Sequence, residues 1–106
     1  MYVKDAVDMT LFFLDNPSKG GLYNIGTGIA RTWNDLAGAM FAAMKKPVRI
    51  EYIPMPEYLR PKYQYFTQAN LEKLRNAGCT HECIPLEEAV EDYIINYLAP
   101  NRVLGQ

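Results

Sequence analysis

The sequence predicts an α/β fold with short strands and about four helices, and three observations predict it. Segments with apolar residues at helical spacing alternate along the chain with short β-prone runs. A strand, a helix and a second strand follow one another at the connection length of a parallel, right-handed crossover unit. The 106 residues, 49% hydrophobic and 22% charged, have the makeup of one ordinary domain around one core. A domain near this size buries roughly two thirds of its unfolded surface, which leaves little surplus stability.

Asp5 and Asp8 place a capping oxygen and a second carboxylate at the start of a helix whose Val7, Leu11 and Leu14 share one face. That helix runs to about Asp15, where Pro17 stops it and Gly20 and Gly21 turn the chain. Leu22, Tyr23 and Ile25 form the first β-prone run. Thr32 and Asp35 have capping-box spacing for a second helix, with Leu36, Ala39, Met40 and Ala43 as its buried stripe and an end near Lys46. Val48, Ile50, Tyr52 and Ile53 make the second strand, closed by Pro54 and Pro56. Residues 57–65 carry Pro61 and three tyrosines without clean periodicity, and read as a loop. Thr67 caps a third helix to about Ala77, with Gly78 as its stop. Pro85 opens the last helix, in which Leu86, Ala89, Val90, Tyr93, Ile94 and Tyr97 repeat at three and four residues until Pro100. Residues 1–100 thus form the domain, and 101–106 are expected to be a disordered tail.

A net charge of −1 with scattered cations gives no footprint for nucleic acid or for an anionic membrane. The apolar runs, such as residues 11–14, are far below the ~20 residues of a membrane span, and no leader pattern opens the chain. Two cysteines are too few for a disulfide scaffold. A soluble cytoplasmic protein is expected.

Four features resemble chemistry. Gly26-Thr27-Gly28 has the opening of a dinucleotide fingerprint, but Arg31 stands at the third glycine and a tight turn needs glycine for backbone reasons alone. No cofactor-binding residue is assigned. Tyr58 and Lys62 have the Tyr-x-x-x-Lys spacing of short-chain dehydrogenases, yet Pro61 opposes the helical turn that would stack them. No catalytic residue is assigned either. Cys79, His81 and Cys83 offer three zinc ligands where a structural zinc takes four, and His81 is the sole histidine, so no metal is expected. Glu87, Glu88, Glu91 and Asp92 are expected on the solvated side of the last helix. The proline-stiffened tyrosines at 58, 63 and 65 can present flat faces and hydroxyls to a sugar or base, or can serve as core filler.

The strings YVKDAVD at residues 2–8 and YNIGTG at 23–28 resemble the C-terminal third of extended short-chain dehydrogenase/reductases, a group rich in nucleotide-sugar epimerases and dehydratases. Residues 51–78, EYIPMPEYLRPKYQYFTQANLEKLRNAG, closely resemble the ADP-glycero-manno-heptose 6-epimerase family, including its Tyr-Gln-x-Phe-Thr-Gln core. The resemblance implies a small C-terminal substrate-binding domain of an extended short-chain dehydrogenase/reductase, with the Rossmann domain absent. It implies that Tyr63, which opens the core, contacts the ADP-heptose. It also implies C6 inversion through oxidation and reduction by NADP (or NAD), on the route to lipopolysaccharide core precursors. In that family the Gly-rich cofactor loop, the Tyr-x-x-x-Lys pair and a substrate-contacting arginine lie upstream of the matched region. The chain alone is therefore expected to be inactive, to bind no cofactor, to self-associate through faces meant for the missing domain, and to come from a homo-oligomeric parent. The alternatives are the equivalent domain of another nucleotide-sugar epimerase or dehydratase, and a stand-alone sugar-nucleotide-binding or oligomerisation module.

Overall fold

The computed structural model describes residues 1–102. Its regular elements are α1 (Val3–Asp15), α2 (Trp33–Ala43), α3 (Glu72–Asn76) and α4 (Leu86–Tyr93), with single 3-10 turns at Pro17–Lys19 and Arg60–Lys62. α4 continues directly into a π-helical turn, Ile94–Leu98.

Four helices agree with the sequence, but the strands do not: among the described residues no strand forms. Both β-prone runs are irregular and lack backbone–backbone hydrogen bonds among the described residues. Leu22 is 88% and Ile53 79% exposed, so their apolar side chains bury little. A β-prone run becomes a strand only when a neighbour completes its backbone ladder, and neither run makes a backbone–backbone hydrogen bond among the described residues. The expected crossover unit is absent for that reason, and the α/β description does not extend to these residues.

α1 begins one turn earlier than expected. Tyr2 is its N-cap and offers no side-chain hydrogen bond. Asp5 lies inside the helix at 3% exposure, turned toward the loop before α4 rather than toward the helix end. Asn16 closes the helix, its Nδ2 donating to the Phe12 carbonyl at 2.8 Å, and Pro17 forbids another turn. The buried side of α1 is Met9, flanked by Phe12 and Phe13, whereas Val3, Val7, Leu11 and Leu14 form an exposed apolar stripe.

The third helix is shorter than the sequence reading. Residues 67–71 are not helical, and the side chain of Asn70, not Thr67, accepts the Glu72 amide at 2.9 Å. Gly78 ends the segment at φ +94, a conformation that suits glycine at a helix C-terminus. Leu74 and Cys79 then close the main core with Met9, and Phe12, Phe13, Tyr23, Leu71 and Cys83 pack around these three. α2 packs separately on α4 and its π turn through Ala39, Ala89 and Ile94. The single core expected from composition is thus two small clusters. The expected tail falls partly outside the described residues. Within them, the Asn101 and Arg102 amides donate to Leu98 and Tyr97 and finish the last helix.

Candidate functional site

Tyr63 leaves the 3-10 turn Arg60–Lys62 with extended backbone, φ −81 and ψ 130. Its hydroxyl oxygen accepts a 2.9 Å hydrogen bond from Trp33 Nε1, and the Tyr65 ring meets it edge-on with centroids 5.1 Å apart. The indole N–H is only a donor, so the Tyr63 oxygen acts as acceptor and its own proton remains available to a ligand oxygen. Trp33 is placed by the start of α2. Thr32 Oγ1 accepts from the Asp35 amide at 3.0 Å while Asp35 Oδ2 accepts from the Thr32 amide at 2.9 Å, the reciprocal capping box read from the sequence. Trp33 is 73% and Tyr63 38% exposed, so both present aromatic surface to solvent. Tyr58 and Phe66 are exposed as well.

The Gly26-Thr27-Gly28 loop packs on the same segment. A Cβ on Gly26 would lie 3.1 Å from the Ala69 Cβ, and one on Gly28, at φ +71, would lie 3.0 Å from Leu71 Cδ1. Gln68 Nε2 donates to the Gly28 carbonyl at 2.5 Å. The glycines therefore admit the chain at 68–71. The backbone approach that a dinucleotide fingerprint reserves for a pyrophosphate is taken here by Ala69 and Leu71, and the capping box engages the Thr32 and Asp35 amides at the start of α2. No chemical step is drawn through a cofactor at this loop.

Tyr58 and Lys62 sit in a turn and the following 3-10 turn, with no α-helix to stack them. The cysteine and histidine residues are rearranged relative to the sequence reading. Cys79 is buried in the core, while His81 and Cys83 face Asp5 of α1. His81 Nε2 lies 2.9 Å from Asp5 Oδ1, which also accepts the Ile84 amide at 3.4 Å. Asp5 Oδ2 is buried without a partner among the described residues. Burial first, and the Asp5 carboxylate second, push the Cys83 thiol above its usual range.

Two acids on α4 do more than meet solvent. Asp92 accepts hydrogen bonds from Tyr2 Oη at 2.6 Å, Lys4 Nζ at 2.7 Å and Asn96 Nδ2 at 2.8 Å. These bonds, led by that from Lys4, lower its pKa from 3.8 to about 2, and the Asp92 bond pushes the Tyr2 hydroxyl up to about 12. Glu87 pairs with Arg31, which also reaches Asp35 at 3.3 Å.

Trp33 and Asp5 are the residues that sequence reasoning missed as site members. Trp33 follows a recognisable cap, but its partner is 30 residues away. A carboxylate near a helix start is the ordinary signal of a cap, whereas the partner of Asp5 is His81, 76 residues distant.

In sequence the chain is similar to one class of proteins, the epimerases of nucleotide sugars. The particular relatives are ADP-L-glycero-D-manno-heptose-6-epimerases. That of Nitratidesulfovibrio vulgaris strain DP4 is 52% identical over 99 residues, and that of Fusobacterium nucleatum subsp. nucleatum 49% over 105 residues. Each alignment takes in 93% of this chain but only 31% and 32% of the relatives, so the chain spans about a third of the curated proteins it matches. No protein-family model matches the chain.

Proposed function

We propose that the chain is the C-terminal, sugar-side portion of an ADP-glycero-manno-heptose 6-epimerase and that Tyr63 contacts the sugar nucleotide. The observation that carries this reading is the 49–52% identity to such epimerases across 93% of the chain. The site supports it: Trp33 holds the Tyr63 oxygen, leaving the hydroxyl proton for a sugar or phosphate acceptor, and the neighbouring rings offer flat apolar faces of the kind that stack on sugars. The parent enzyme is an isomerase. Its C6 oxidation and reduction, with NADP or NAD, belongs to residues outside these 106. The parent assembles as a homo-oligomer in the cytoplasm.

Assays of the isolated chain test both halves of the proposal. It is expected to show no turnover of ADP-heptose and no NADP binding in a calorimetric titration. Weak ADP-heptose binding, followed by ligand-observed NMR, is expected to fall about twofold to tenfold in Tyr63→Phe, the effect of one hydrogen bond. Turnover by the chain alone would overturn the division of labour. Equal binding by Tyr63→Phe would remove Tyr63 from the site.

A further inference from the structure

Asp5, His81 and Cys83 come from elements far apart in sequence, yet one ligand atom from each lies within 4.8 Å of the others. Three features make this a prepared cluster. Asp5 is 3% exposed and its Oδ2 has no hydrogen-bond partner among the described residues, an expensive condition for a carboxylate oxygen. The loop carrying the other two ligands is fixed at both ends. Arg75 Nη1 donates to the Cys79 carbonyl at 2.8 Å and the His81 carbonyl at 2.7 Å, and the Ile84 amide donates to Asp5 itself. Lastly, Cys79 anchors the start of that loop in the core.

We propose that Asp5, His81 and Cys83 form a three-ligand binding site for a borderline-soft divalent cation of the zinc class, with water as the fourth ligand. The donor set decides the class. Calcium and magnesium take oxygen ligands, whereas one thiolate, one imidazole and one carboxylate suit zinc and its neighbours. Charge agrees: a bound thiolate and carboxylate supply two negative charges against two positive ones. The metal also gives the orphaned Asp5 oxygen a partner, and the 27% exposure of the His81 side chain leaves a path for ion and water. Four protein ligands, which the Cys-x-His-x-Cys string lacks by itself, are not needed where water fills the last position.

Cobalt is the test probe, because a thiolate ligand gives Co²⁺ a charge-transfer absorption. The reduced, chelator-treated chain is expected to bind one Co²⁺ with that band, and zinc is expected to displace it. Cys83→Ser should abolish the band while leaving the far-UV circular dichroism unchanged, since Cys83 is only partly buried. His81→Ala should weaken binding by about tenfold or more, the scale seen when metal-site partners are removed. Absence of the band at stoichiometric cobalt, or its persistence in Cys83→Ser, would overturn the site. His81→Ala carries the test if Cys83→Ser does not fold.

Discussion

Residues in this chain are best understood by what they touch across large sequence separations. Gly28 is the clearest case. Read in sequence, it belongs to a half-complete phosphate motif; in the structure, it takes φ +71 and lets Leu71 approach. The backbone reason for glycine was legible in the string, but the identity of the approaching chain was not, because no local pattern encodes a contact 43 positions away. Gly28→Ala should lower stability by about 1–2 kcal/mol, mainly from the left-handed conformation, since the end of the Leu71 side chain can shift. A lower urea midpoint at unchanged m value would show this. Tyr63 is the opposite case. Its assignment came from a family string, and the Trp33 indole bonded to its hydroxyl became visible only with the fold.

At the level of elements, local signals were read well where the partner is also local. The capping box at Thr32 and Asp35 forms with both hydrogen bonds, and Pro17, Gly78 and Pro85 each mark a boundary. Other signals leave their partner unspecified. Thr67 has a capping side chain, but Asn70 lies nearer the turn that forms. The acids of α4 suit a solvated face by helical spacing, yet Asp92 ties that helix to Tyr2 and Lys4 at the start of α1. This tie has a defined pH signature. The Asp92 pKa is lowered on folding, so its contribution is present above about 3.8 and is lost as pH falls through about 2. Asp92→Asn should therefore flatten the fall in stability across that interval, in thermal melts taken at successive pH values. A fall as steep as that of the parent chain would show that Asp92 does not carry it.

The whole molecule is open for its size. Its radius of gyration is 17.1 Å, where a compact chain of this length has about 13 Å, and its accessible surface is 8654 Å², against about 6,000 Å² for a folded monomer of this mass. Composition gave no sign of this, since a sequence records how much apolar surface a chain owns but not which neighbour covers it. The stripe Val3, Val7, Leu11 and Leu14 carries the same periodicity as a core face and is exposed. Among the described residues no helix is long and apolar enough to cross a membrane. The isolated chain should associate with rising concentration in light scattering, and Leu11→Lys should reduce the effect; a concentration-independent monomer would oppose it. The β-prone run at 48–53 carries a different consequence. Its amides and carbonyls make no backbone hydrogen bonds among the described residues, so the run is a main-chain template with two free edges. A neighbour that lays a strand against it gains affinity from the peptide backbone itself, and side chains need only set the register.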